Sequence, residues 1–257
     1  MSRRIFAFAP ICLMIMIGCG SKDGQLSQDS GKKPGLTKLQ INDMKVGQGA
    51  PVEKGDSVYV GYRGTLMSGA EFDSNLNENA MPFMFRVGGG EVVRGWDEGF
   101  VGMKIGGERE LLVPAEMGYG VQGNGEKIPP NSDLKFKVIL YDVVKPGEES
   151  AFWTEDIVEG KGPAVKAGDT VTVDYEGTLV NGHKFDSTKD RMAPLVIRLT
   201  KEEVGIPGWI DGLTGMKVGG RRKIRLGPNV GLGFQSKNGV PPNSVLMFDV
   251  KLLKIEK

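Results

Sequence analysis

This 257-residue sequence is poor in histidine and cysteine, the side chains that carry much enzyme chemistry. Its one histidine, His183, follows an Asn-Gly pair typical of a turn, so we expect it to be solvated. That excludes histidine-dependent triads and histidine-ligated metals. Both cysteines, Cys12 and Cys19, lie near the N-terminus. We expect no thiol chemistry, metal or cofactor in the mature protein, and the net charge of +1 gives no reason to propose a nucleic-acid partner.

The apolar run at the N-terminus is too short to span a bilayer, which takes about 20 apolar residues. Arg3-Arg4 precede an apolar stretch from Ile5 to Ile17, and Gly18-Cys19 follow it. This arrangement resembles an export signal that ends in a bacterial lipobox. It predicts a signal peptide at residues 1–18, lipidation of Cys19, and a lipid anchor to a membrane of the bacterial cell envelope. Ser2–Phe6 also resembles a twin-arginine signal, so the export route stays open. The polar residues 19–34 predict a flexible tether.

The rest of the chain contains one set of motifs twice. GYRGTL at Gly61–Leu66 returns as DYEGTL at Asp174–Leu179, and GMKIGG at Gly102–Gly107 returns as GMKVGG at Gly215–Gly220, both displaced by 113 positions. A repeat of this length can bury its own core, unlike the short units of a solenoid. We therefore predict two domains, at residues 35–145 and 151–257, with a linker at 146–150.

The two copies also differ in charge, because the first is net negative and the second net positive. Opposite charges could bring the copies together or give them different clients. We favour a simpler interpretation, in which these are solvated faces that diverged after duplication. The basic run Arg221–Arg225 is interpreted in the same way.

Apolar alternation predicts several strands in the first copy and little helix. Trp96, Phe100 and Met103 have helical spacing, which predicts a short helix over Arg94–Met103. Runs of strands around one short helix indicate an antiparallel α+β domain. The predicted strands are Leu39–Val46, Ser57–Gly64, Pro82–Val87, Glu108–Val113 and Leu134–Val144.

The motifs of each copy, taken in order, resemble the FKBP-type peptidyl-prolyl cis–trans isomerases. In the first copy they are GYRGTL, Glu71–Ser74, Pro82–Phe85, Glu91–Trp96, GMKIGGERELLVP, Gly118–Gly120, Ile128–Asn131 and Leu134–Phe136. The resemblance implies two domains, each a twisted antiparallel β-sheet wrapped around a short α-helix. In each domain an apolar pocket is expected between the helix and the sheet. It also implies that the clients are proline-containing polypeptides and that macrolides are ligands.

The resemblance assigns roles to individual residues of the first copy. Tyr62, Asp73, Trp96 and Tyr119 are the expected catalytic residues, with Trp96 as the floor of the pocket and Tyr119 bonding a ligand carbonyl. The backbone amide of Val93 is expected to hold a second carbonyl. The expected substrate-binding residues are Phe72, Phe83, Val92, Val93, Ile128 and Phe136.

The second copy keeps part of this set and changes the rest. Leu195 replaces the wall residue Phe83, Leu232 replaces Tyr119, and Ile206 is expected to supply the amide that Val93 supplies in the first copy. We therefore predict a folded second domain whose site is weaker or altered. Its expected pocket residues are Tyr175, Phe185, Asp186, Leu195, Ile206, Trp209, Leu232, Val240 and Phe248.

These observations predict a prolyl isomerase that assists the folding of exported proteins, acting mainly through its first domain. The alternative is a lipid-anchored chaperone or binding module that holds proline-containing segments without catalysis. A third interpretation is a structural duplication that only spaces the first domain from the membrane. A spacer has no need to keep Tyr175, Asp186 and Trp209 together, so we disfavour it.

Overall fold

The computed structural model describes residues 35–77, 79–237 and 239–256. The predicted signal peptide, the tether and Cys19 lie outside these residues. From residue 35 onward the chain forms one compact unit. No helix within the described ranges is long and apolar enough to cross a membrane.

Each copy forms an antiparallel sheet with one short α-helix, which confirms the predicted α+β class. In the first copy the elements are β1 (Gln40–Lys45), β2 (Ser57–Leu66), β3 (Glu71–Ser74), β4 (Phe83–Arg86), α1 (Arg94–Gly99), β5 (Glu108–Val113) and β6 (Leu134–Val144). The strand order is β1-β5-β6-β2-β3, and β4 also pairs with β2. A 3₁₀ turn, Ala115–Met117, follows β5.

The second copy repeats this arrangement. Its elements are β7 (Phe152–Val158), β8 (Lys161–Ala164), β9 (Thr170–Leu179), β10 (Lys184–Ser187), β11 (Leu195–Arg198), α2 (Gly208–Leu213), β12 (Lys217–Val218), β13 (Arg221–Leu226), a 3₁₀ turn (Pro228–Val230) and β14 (Leu246–Glu256). The six-stranded sheet has the order β10-β9-β14-β13-β7, with β11 paired to β9, and β8 and β12 make a separate two-stranded sheet.

The first helix is shorter than its sequence predicts. It ends at Gly99, whereas the predicted helix ends at Met103. The buried Arg109 guanidinium donates to the carbonyl oxygens of Gly99 and Val101, at 2.6 and 3.1 Å. The N–H of Gly102 turns away to the carbonyl of Val52. These partners satisfy backbone groups that a longer helix would pair internally.

A buried arginine performs the same task in the second copy, which corrects our interpretation of Arg221–Arg225 as a solvated face. Arg222 is 8% exposed and donates to the carbonyls of Gly212 and Thr214 and to both carboxylate oxygens of Asp156. The neighbouring guanidinium lowers the pKa of Asp156. This part of the basic run therefore ties the helix end to an edge strand.

The two sheets contact each other through a small apolar cluster and several polar bonds. Tyr59 is 4% exposed, packs with Val144 and Val245, and donates its hydroxyl to the carbonyl of Asn243 at 2.6 Å. Arg225 of the second copy pairs with Asp142 of the first at 2.8 Å. Opposite charges therefore do meet between the copies at this bridge.

We predict that Arg109→Ala lowers the free energy of unfolding by about 3–5 kcal/mol, because it leaves two carbonyls and the carboxylate of Asp43 without their partner. Denaturant unfolding followed by circular dichroism measures the change. The control is Arg63→Ala, which removes an exposed ion pair with Glu71 and should cost less than about 1 kcal/mol. Equal losses for the two variants would contradict the role given to Arg109.

Candidate functional site

The first copy has a cavity of about 260 Å³ between α1 and the sheet. The structure brings together at this cavity every residue predicted for the first site except Ile128. The cavity is lined by Tyr62, Phe72, Asp73, Phe83, Glu91, Val92, Val93, Trp96, Tyr119 and Phe136. Its lining is therefore mostly aromatic and aliphatic, with two carboxylates.

Trp96 is fixed at the start of α1, where the helix lies directly on the sheet. A Cβ atom on the preceding residue, Gly95, would come within 2.4 Å of Val113, so only glycine permits this approach. The indole is 4% exposed and meets the rings of Tyr62 and Phe136 edge to face, with centroids 5.1 and 5.2 Å apart. Such pairs add about 0.5–1.5 kcal/mol beyond burial. The indole N–H has no acceptor among the described residues.

Tyr62 and Asp73 form the main polar pair of the cavity. The Tyr62 hydroxyl donates to Asp73 Oδ2 at 2.6 Å, while Asp73 Oδ1 accepts the backbone N–H of Ser74 at 2.9 Å. Burial, with help from the Asp73 bond, raises the pKa of the Tyr62 hydroxyl. The tyrosine therefore stays protonated and keeps Asp73 in one orientation at the cavity edge.

Glycine also explains how Phe72 reaches the cavity beside Asp73. A Cβ atom on Gly64 of β2 would lie 2.5 Å from the Phe72 ring, and the equivalent atom on Gly177 of β9 would lie 2.8 Å from Phe185. The glycine of the repeated GTL motif thus lets each phenylalanine ring pack directly against the neighbouring strand. Phe72 in turn meets Phe136 edge to face at 5.6 Å.

Val93 directly precedes α1 and has an extended backbone, with φ −58° and ψ 143°. Its carbonyl accepts the N–H of Trp96 at 2.8 Å. Its own N–H has no acceptor among the residues that the structure describes. Val93 lines the cavity, as does Tyr119, which is 36% exposed on the loop after β5.

The second copy has a cavity of about 190 Å³ at the same place. Of the predicted residues, Tyr175, Phe185, Asp186, Leu195, Ile206, Trp209 and Leu232 line it. The Tyr175 hydroxyl donates to Asp186 at 2.5 Å, and Tyr175 meets Trp209 edge to face at 4.9 Å. The N–H of Ile206, like that of Val93, has no acceptor among the described residues.

Three predicted pocket residues lie in the core instead of the cavity lining. Ile128 is 3% exposed and packs within the first hydrophobic core, and its counterpart Val240 is fully buried in the second. Phe248 lies against Trp209 at 5.3 Å and is 2% exposed. These side chains pack behind the residues that line the cavity. The spacing of the motifs alone does not distinguish a residue that lines the cavity from one that packs behind it.

Arg191 is the main residue of the second cavity that the sequence interpretation missed. Its guanidinium lies over the Tyr175 ring, 5.4 Å from the centroid, donates to the Tyr175 hydroxyl, and pairs with Asp186 at 3.4 Å. This cation offsets the charge of Asp186, whereas the lining of the first cavity has two carboxylates and no cation. Arg191 lies in an irregular loop, where no periodic pattern marks it.

Other lining residues were missed for simpler reasons. Ile197 alternates with Leu195 along β11, so the period of a strand could have identified it. Glu91 directly precedes the Val92-Val93 pair, and its place in that motif does not indicate that it lines the cavity. Val204, Gly205 and Lys237 also line the second cavity, on loops without a strand or helix pattern. No group of three side chains suited to a metal ion occurs in the described ranges.

The Tyr175 hydroxyl gives a pH-dependent prediction for the full chain. Burial, aided by the bond to Asp186, raises the pKa of Tyr175 to about 12, against about 10 in an unfolded chain. Between these values the unfolded chain loses the proton while the folded chain keeps it, so the free energy of unfolding falls as pH rises. Denaturant titrations at a series of pH values should show that the free energy of unfolding falls less steeply with pH for Tyr175→Phe than for the wild type. Identical slopes above pH 10 would contradict this.

The sequence of each copy matches the same family model. The family model described as FKBP-type peptidyl-prolyl cis-trans isomerase matches residues 48–141 and again 162–253, together more than half of the chain. A bacterial relative, the FK506-binding protein of Neisseria meningitidis serogroup A, is 47% identical over 108 residues, which is 42% of this chain and 98% of that protein.

Longer relatives match both copies at once. Mouse peptidyl-prolyl cis-trans isomerase FKBP9 is 32% identical over 202 residues, covering 79% of this chain but 35% of that protein. The chain thus spans about a third of the length of these relatives. A solved structure of the three FKBP domains of wheat FKBP73 is 24% identical with a TM-score of 0.38, covering 85% of this chain and 95% of that one. On the two family matches, the chain belongs to the FKBP-type peptidyl-prolyl cis-trans isomerase family and contains two tandem FKBP domains.

Proposed function

We propose that this chain catalyses rotation about X–Pro peptide bonds, and that it does so mainly in the cavity of the first domain. One observation carries the proposal. The apolar cavity over Trp96 combines an oriented Tyr62–Asp73 pair with a Val93 N–H that has no acceptor in the described ranges. A bound peptide would supply the carbonyl that this N–H lacks.

The physical problem is the resonance of the amide, which makes the barrier to rotation about 18–20 kcal/mol. In the twisted transition state this resonance is lost and the carbonyl carries less charge than in the planar ground state. A cavity walled by Phe83, Trp96 and Phe136 solvates a charged carbonyl less well than water does. It therefore favours the twisted form over the planar one, which is differential binding in the direction that lowers the barrier.

In this mechanism the polar groups hold the peptide and take no proton from it. The Val93 N–H and the Tyr119 hydroxyl would hold two carbonyls of the client, which fixes the chain on both sides of the bond that turns. Asp73 acts through charge and through its bond to Tyr62. A rate gain of about 10⁵ corresponds to roughly 7 kcal/mol, which desolvation, two held carbonyls and the aromatic contacts would have to supply together.

The second domain is proposed to bind proline-containing segments and to catalyse more weakly. Leu232 provides no hydroxyl where the first domain has Tyr119, and Arg191 engages both Tyr175 and Asp186. A lost hydroxyl bond costs about 1 kcal/mol. Because Asp186 is paired with Arg191, its carboxylate would also interact less strongly with a bound amide. Catalysis in one domain and binding in the other would then serve the same client.

The ligand class follows from the same cavity. The Neisseria relative is named an FK506-binding protein. We propose that macrolides of this kind occupy the first cavity in competition with proline-containing clients, because both would contact the same apolar walls around Trp96.

The enzymatic proposal is tested with a matched pair of variants in the full chain, because the two domains share an interface. Asp73→Ala should lower kcat/KM in a proline-limited refolding assay about tenfold or more, while Asp186→Ala should lower it less than about twofold. Circular dichroism checks that both variants stay folded. If Asp186→Ala is the damaging change, the assignment of domains is reversed. If neither variant matters and wild type does not accelerate refolding, the binding-module alternative replaces catalysis.

We also propose that the chain is exported and anchored by a lipid on Cys19, on the strength of the Met16-Ile17-Gly18-Cys19 motif. Metabolic labelling with a radioactive fatty acid should label the wild type and not Cys19→Ser. Cys12→Ser is the matched control, because Cys12 lies inside the predicted signal and should not affect labelling. Labelling that survives Cys19→Ser, or that is lost with Cys12→Ser, would contradict the lipobox assignment.

A further inference from the structure

A third concave surface lies between the two domains, next to the first cavity. This interdomain cleft has a volume of about 430 Å³, and its walls include Tyr59, Met84, Glu91, Glu149, Phe234 and Asn243. Residues of both copies therefore line it, and neither domain could form it alone.

Phe234 is the unusual residue of the cleft. Its side chain is 82% exposed, although it is a large apolar ring. The corresponding residue of the first copy is the smaller Val121, 76% exposed. Single exposed apolar residues are common on protein surfaces. Phe234, however, lines a concave surface that also contains the half-buried Met84, which is where an aromatic ring can contact a ligand.

The loop that carries Phe234 is tied to the first domain. The carbonyl of Gly233 accepts the N–H of Asn243 at 2.7 Å, and the carbonyl of Asn243 accepts the Tyr59 hydroxyl at 2.6 Å. Tyr59 itself belongs to β2, the strand that also supplies Tyr62 to the first cavity. The backbone next to Phe234 is thus held at the cleft by bonds that reach the first domain, so the loop needs less ordering when a ligand binds.

The cleft adjoins the first cavity at Glu91, which lines both. The Glu91 carboxylate accepts the backbone N–H of Arg86 at 3.2 Å and so stays at the boundary. A polypeptide whose proline occupies the first cavity can pass Glu91 and enter the cleft, since an extended chain advances about 3.3 Å per residue.

We propose that the interdomain cleft is an extended binding groove for the client segment next to the isomerised proline. Its occupant is an extended polypeptide that places an apolar side chain against Phe234. The inference rests on the proposed function of the first cavity and deepens it, because it makes the second domain part of the substrate site of the first. Long unfolded clients then bind more tightly than short peptides that reach the first cavity alone.

The test compares two substrates of different length with full-length protein. For a short proline peptide, Phe234→Ala should leave kcat and KM unchanged. For a proline-limited refolding protein, it should raise KM about fivefold with kcat unchanged, the scale expected for an aromatic contact. Phe234→Trp keeps a ring and should retain wild-type KM. Phe152→Ala is the control, because Phe152 is 46% exposed but lies outside both pockets and the cleft lining.

Each other outcome overturns the inference in a recognisable way. An unchanged KM for the protein client shows that the cleft does not bind it. Equal losses for both substrates place the effect of Phe234 in the first cavity itself, and an equal effect of Phe152→Ala shows general surface adhesion. If wild type dimerises in sedimentation experiments and Phe234→Ala does not, the occupant is a second copy. Failure of the wild type on the short peptide would instead contradict the proposed function.

Discussion

The close approach of α1 to the sheet is the constraint on which the first site depends. The helix can lie on β5 only because Gly95 and Gly99 have no side chains to collide with Val113 and Leu111. This contact buries Trp96, and it places the Val93 N–H at the cavity just before the helix begins. At the C-terminal end of α1, Arg109 donates hydrogen bonds to the two carbonyl oxygens that the short helix leaves without an internal partner. A longer helix would take these carbonyls into its own hydrogen bonds and leave the buried Arg109 without acceptors at this end.

The duplicated domains show which parts of this design are scaffold and which are function. The second copy repeats the glycine contacts, the buried arginine, the buried tryptophan and the Tyr–Asp bond. It differs at the cavity edge, where Leu232 and Arg191 lie. Because the scaffold is kept, these differences change the lining of the cavity without altering the fold. The contact between the domains adds a surface that neither copy has alone.

The sequence predicted most of this molecule where a residue's role follows from its local pattern. The strands and the short helix follow from alternation and helical spacing, whereas the aromatic set of the first cavity follows from the family resemblance that the ordered motifs carry. The sequence failed where the role depends on a distant partner. The length of α1 depends on Arg109, the charge of the second cavity on Arg191 in a loop, and the buried state of Arg222 on Asp156. Ile128 and Val240 have the composition of pocket residues, and only packing shows that they lie behind the cavity.

Backbone amide NMR on the full chain with a bound X–Pro peptide tests most directly whether the first cavity is the catalytic site. If it is, the largest chemical-shift changes should occur at Val93, with further changes at Tyr62 and Trp96, and cis and trans peptide signals should exchange faster when the protein is present. Changes confined to the second cavity, or binding without faster exchange, would contradict the claim that the first cavity is the catalytic site.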